Sequence, residues 1–171
     1  MLSRAAVVTA LLAACAAGCG GSKPAEERPN GPEIRWLRGL SATEVKTAVG
    51  ARSLVCEGPA REGGTNVWTC AAATPLVSYR VRFYGSAPLK LEYVTATVTQ
   101  VGAPKIDLVQ PLFVVLAGLH FEGADVAKAR EWVLSATTAG GGETTFGPAK
   151  FRVRGDAGSM TLDIKASGSD W

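Results

Sequence analysis

The clearest amphipathic pattern in the chain is "GLSATEVKTAVGA", residues 39–51. Ser41 and Glu44 have capping-box spacing, and Leu40 and Val45 sit where a hydrophobic staple clasps across a helix start. Gly50 supplies a C-terminal stop. These signals predict a helix over 42–49 with Val45, Ala48 and Val49 on its buried face. The pattern then changes to a period of two. "RSLVCE" and "NVWTCAAA" flank "GPAREGGT", so a hairpin centred near Gly63 sets Cys56 and Cys70 opposite each other. "YRVRFYG" alternates strictly, with Tyr79, Val81 and Phe83 on one face and Arg80, Arg82 and Tyr84 on the other. Residues 89–101 are rich in β-branched side chains and read as a long strand.

The helical period returns at Asp107, which can cap a helix running to about Leu116, with Pro111 in its first turns. Leu108, Leu112 and Leu116 share a face, and most other positions are apolar, as in a buried helix. A third helix starts at Asp125, with Val126, Ala129 and Val133 inward and Lys128 and Glu131 outward. After the loop "TTAGGGE" come the strands "TTF", "KFRVRG" and "SMTLDIKA". The last places Met160, Leu162 and Ile164 inward and Thr161, Asp163 and Lys165 outward.

One helix before four strands, then two helices before three, predicts an α+β fold with helices on one face of an antiparallel sheet. The two halves, 34–104 and 105–171, echo each other: each has a glycine turn, an aromatic-Arg-Val-Arg strand and a closing amphipathic strand. A tandem helix-plus-sheet repeat and two generic β-meanders both fit that echo. In layout and length the arrangement resembles the beta-lactamase inhibitor proteins, although only the first half here carries a cysteine pair. Likeness of layout carries no function by itself.

The first residues have another character. Residues 1–4 carry one positive charge, Arg4, and residues 5–17 carry none. A basic head, an apolar run of about 7–15 residues and small residues after it form the pattern of an export signal. The run is shorter than the about 20 apolar residues of a spanning helix. "LAAC" ending at Cys15 and "AAGC" ending at Cys19 both resemble the lipobox of bacterial lipoproteins. That resemblance implies a thiol acylated with a diacylglyceryl group and cleavage just before it. Leu12 favours Cys15, whereas the thiol count favours Cys19, because cleavage there leaves Cys56 and Cys70 as an even pair. The expected organisation is a signal peptide over 1–18, lipidation at Cys19 with Cys15 as the alternative, a solvated tether over 19–33 and a domain over 34–171. In an oxidising compartment Cys56 and Cys70 are expected to form a structural disulfide.

Composition narrows the chemistry further. Without residues 1–18 the chain has 17 basic and 15 acidic residues, too even a balance for a nucleic-acid-binding stripe. His120 is the only histidine. It could pair with Glu122, but no nucleophile elbow accompanies it, and the glycine runs at 63–64 and 140–142 lead into no phosphate loop. Trp36, Trp68, Trp132 and Trp171 are scattered. No metal or cofactor motif is present, and no catalytic residue is assigned.

Arg80, Arg82, Arg152 and Arg154, with Lys90 and Lys165, are expected on the sheet face turned away from the helices. They would either meet an anionic partner, such as a lipid headgroup, an acidic polymer or an acidic envelope protein, or pair with Asp163 and Glu92. The functional expectation is a membrane-tethered extracytoplasmic lipoprotein with a non-catalytic binding or structural role at the cell envelope. The alternative is a secreted inhibitor or binding module released without lipid.

Overall fold

The computed structural model describes residues 35–102, 105–156 and 158–169. The signal-like head, Cys15, Cys19, the tether and Trp171 lie outside the described residues.

The elements run α1 (Ala42–Gly50), β1 (Val55–Glu62), β2 (Thr65–Ala73), β3 (Val77–Ala87), β4 (Lys90–Gln100), α2 (Ile106–Ala117), α3 (Val126–Thr138), β5 (Gly141–Phe146), β6 (Ala149–Asp156) and β7 (Ser159–Ala166). All seven strands form one antiparallel sheet in the order β1-β2-β3-β4-β7-β6-β5. The fold is α+β, as the periodicities predict. The last strand of the chain lies at the centre of the sheet, and β1 and β5 form its edges.

Alternation places Val81 and Phe83 of β3, Val94 and Ala96 of β4, Phe151 of β6, and Leu162 and Ile164 of β7 on one face. All are fully buried, in one core with Val45 and Val49 of α1, Phe113 and Leu116 of α2, and Ala129 and Val133 of α3. Trp68 stacks on Phe83, with ring centres 5.4 Å apart. Beneath α3, Phe151 receives Phe121, Trp132 and Phe146 edge-on, the arrangement that ring quadrupoles favour.

α1 begins as its sequence dictates. Glu44 N–H donates to Ser41 Oγ, and Ser41 N–H donates back to the Glu44 carboxylate. Such a cap stabilises a helix by about 1 kcal/mol. The helix closes one residue past the expected stop, on Ala51. Asp125 caps α3 by accepting from Lys128 N–H. α2 departs from expectation, because Asp107 lies inside its first turn and not at its cap. No side chain caps α2; Gln100, at the end of β4, holds its N-cap residue instead, with Oε1 accepting from Lys105 N–H at 2.8 Å and Nε2 donating to Lys105 O. The buried stripe of α2 is Val109, Leu112, Phe113, Leu116 and Ala117, with Leu108 at its margin.

Two strand limits also differ. β1 starts later than expected and continues through Gly58 and Pro59 to Glu62. Gly63 and Gly64 then make a two-residue turn with φ of +56° and +86°, values that glycine adopts without steric cost. β5 takes in Gly141 and Gly142, expected as loop, because the backbone opposite Arg154 and Val153 completes the ladder there. Cys56 and Cys70 pair directly across β1 and β2 and form a disulfide, with Cys70 fully buried.

The pairing register is symmetric about the β4–β7 seam. Val81, Ala96, Leu162 and Val153 form one row across four strands. On one side of it lie Arg82, Thr95, Asp163 and Arg152, and on the other Arg80, Thr97, Thr161 and Arg154. A local two-fold through the seam therefore exchanges Arg80 with Arg152 and Arg82 with Arg154. The two aromatic-Arg-Val-Arg segments occupy the equivalent strands β3 and β6.

Candidate functional site on the open sheet face

The face opposite the helices carries the polar member of each alternating pair. Its centre is Asp163, which points away from the core yet has no exposed surface. Neighbouring side chains cover it. Arg154 Nη2 donates to Asp163 Oδ2 at 2.6 Å, Arg152 Nη2 lies 3.5 Å from the same oxygen, and the Tyr93 hydroxyl donates to Oδ1. Arg152 keeps 25% of its side-chain surface and Arg154 keeps 57%, so water reaches mainly the second guanidinium. A buried carboxylate is tolerable only with charge partners and filled acceptor positions, and this arrangement supplies both.

Tyr93 continues the cluster toward the β3–β4 hairpin. Burial first, and then its hydrogen bond to Asp163, push its hydroxyl up to about 12. Its ring stacks on Tyr84 at 5.4 Å, and Lys165 Nζ lies 6.0 Å from its ring centre. Arg82 sits 5.1 Å over the Tyr84 ring, and its Nη2 donates to both oxygens of Glu62 at 2.7 and 2.8 Å. Burial raises the Tyr84 hydroxyl above its ordinary value, with Arg82 lowering it and Glu62 raising it.

The four arginines thus fall into three situations. Arg152 and Arg154 converge on Asp163, while Arg82 is held by Glu62 and not by Glu92. Glu92 lies near the bulge where β3 and β4 lose register, and it makes no ion pair among the described residues. Arg80 is exposed and makes none either; it borders a hollow of about 280 Å³ with Ser78, Thr97 and Thr99. Lys165 lies on this face. Lys90 lies at the hairpin end, 5.6 Å from the Trp36 ring. The face is therefore a polar lattice in which Asp163 and Glu62 offset part of the positive charge, with one open arginine and a partly covered tyrosine pair.

His120 is exposed in the α2–α3 connection, with Glu122 exposed two residues on. Neither side chain makes a hydrogen bond or ion pair among the described residues, so no acid–base pair is assembled there. Among the described residues no group of three or more His, Cys, Asp or Glu could hold a metal ion. A second hollow of about 280 Å³ lies between the end of α1 and α2. Its lining of Leu54, Tyr79, Leu108, Pro111 and Leu112 is apolar, with Arg52 and Asp107 as its charged members.

Sequence reasoning missed the burial of Asp163 and the part played by Tyr93. Alternation turns Asp163 outward on its strand, and it assigns Tyr93 no face. Their meeting depends on β7 pairing with β4, which adjacency in sequence does not specify.

The Tyr93 environment has a measurable consequence. Its folded value of about 12 lies above the ordinary 10, so the native state holds the proton more tightly than the unfolded chain. The stability from this preference is fully present below pH 10 and is lost as the pH rises toward 12. Absorbance titration should show a late phenolate step that Tyr93→Phe removes. Between pH 9.5 and 11.5 the urea midpoint of Tyr93→Phe should fall less than that of wild type; equal falls would contradict the assignment.

No family model, no curated protein and no solved structure matches this chain.

Proposed function

We propose that this chain is an exported protein tethered to a membrane by lipid on Cys19, and that its α+β domain has a non-catalytic binding or structural role outside the cytoplasm. The observation that carries the reading is the Cys56–Cys70 disulfide behind a segment with the charge and hydropathy pattern of an export signal. The "AAGC" pattern places a lipidatable thiol at the end of that segment. Two acyl chains give a stable anchor, since each buried methylene contributes about 0.8 kcal/mol.

A non-catalytic role is supported by how the polar groups are used. Arg152, Arg154 and Tyr93 all engage Asp163, and Arg82 is held by Glu62. The secreted alternative shares the same domain and differs only in lacking the lipid.

Detergent phase partition of the protein expressed in a host that processes lipoproteins tests the reading. The wild-type chain should enter the detergent phase, Cys19→Ser should move to the aqueous phase, and Cys15→Ser should stay with wild type. An aqueous wild-type protein would remove the lipid anchor and favour the released binding module.

A further inference from the structure

The first described residues lie against the start of β4 and present a small surface there. The ring of Trp36, partly exposed, lies 5.8 Å from the Arg38 guanidinium and 5.6 Å from the Lys90 ammonium. Leu37 is fully buried and its N–H donates to Leu91 O, which fixes this segment against the start of β4. Leu89, one residue before Lys90 at the hairpin tip, is 75% exposed, the most exposed large apolar side chain among the described residues. The tip is itself held, because Ala42 N–H donates to Pro88 O at 2.8 Å. Neither Arg38 nor Lys90 forms an ion pair among the described residues.

An indole within 6 Å of two cations, one of them next in sequence to an exposed leucine, has the chemistry of a membrane interface. Tryptophan settles at headgroup depth, leucine enters the acyl boundary, and lysine or arginine is drawn to anionic headgroups. We infer that Trp36, Leu89, Arg38 and Lys90 form a contact surface by which the domain rests on an anionic phospholipid membrane. The inference rests on the proposed lipid tether for its setting, since Cys19 lies 17 residues before Trp36. The occupant follows from charge: among the described residues neither cation is neutralised by an ion pair, and exposed Glu122, whose N–H donates to Arg38 O, stands at the margin.

The test uses the chain from Gly20 onward without lipid; its core lies wholly within the compact unit Pro32–Trp171. Vesicles of phosphatidylcholine alone are compared with vesicles containing phosphatidylglycerol. The protein should sediment with the anionic vesicles, more weakly with the neutral ones, and less as salt rises. Losing one basic residue near an anionic surface weakens partition about fivefold, the equivalent of about 1 kcal/mol. Lys90→Gln should show that loss, Arg38→Gln with Lys90→Gln its square, and Leu89→Ser a further weakening. Arg80→Gln, on the open sheet face, should bind as wild type does. Wild type that ignores anionic vesicles, binds both kinds equally, or weakens as much with Arg80→Gln as with Lys90→Gln overturns the inference. Unchanged urea midpoints show that the variants remain folded. Vesicle binding by a chain that its host leaves without lipid would remove the tether and keep this surface. A lipidated chain whose domain ignores vesicles would do the reverse.

Discussion

Asp163→Ala is expected to destabilise the fold by about 4 kcal/mol, as read from urea unfolding. The carboxylate has no solvent exposure and takes charge from Arg154 at 2.6 Å and Arg152 at 3.5 Å, so its removal sets two guanidiniums side by side without their anion. It also strips the Tyr93 hydroxyl of its acceptor. Arg154 can turn to water, but Arg152, with 25% of its side chain exposed, has little room to do so. Removing one partner of a buried pair costs about 3–5 kcal/mol, because the charge left behind is not solvated. Asp163→Asn keeps an acceptor for Tyr93 and loses only the charge, so it should fall between alanine and wild type. A loss below about 1 kcal/mol for alanine, the scale of an exposed ion pair, would show that the cluster does not secure the centre of the sheet.

Reducing the Cys56–Cys70 disulfide is expected to remove about 3 kcal/mol, since it closes a short loop and restricts the unfolded chain. The Cys56→Ala, Cys70→Ala double variant should lose a similar amount and should not respond to reductant. A free-thiol assay on protein from its native host adds a second reading. Absence of free Cys56 and Cys70 agrees with an oxidising compartment, whereas two reduced thiols would contradict export.

Local rules made much of this fold legible. Ser41 with Glu44, and Asp125 before its apolar periodicity, specify two helix starts through neighbouring backbone groups. The "SMTLDIKA" alternation gave the limits of β7, whereas the Cys56–Cys70 register needs, besides the glycine pair after Glu62, a one-residue bulge between Glu57 and Ala60 that the sequence pattern did not reveal. The misreadings share a cause, because each depended on a group from elsewhere in the fold. Gln100 holds the Lys105 backbone from the end of β4, so α2 starts before the apparent cap Asp107. Gly141 and Gly142 have weak strand propensity, but Arg154 and Val153 of β6 draw them into the ladder. Glu62, at the end of edge strand β1, holds Arg82 in place of the expected partner Glu92. The candidate face was legible as a set of outward positions, and its burial around Asp163 required the β4–β7 pairing.

Processing and lipidation at Cys19 are the proposal on which the setting of this domain rests. The most direct measurement is the mass of the N-terminal peptide of the protein taken from the membrane fraction of its host. A peptide beginning at Cys19 and carrying a diacylglyceryl group is the predicted result. An unmodified N-terminus on protein recovered from the medium, or an uncleaved Met1, would contradict it.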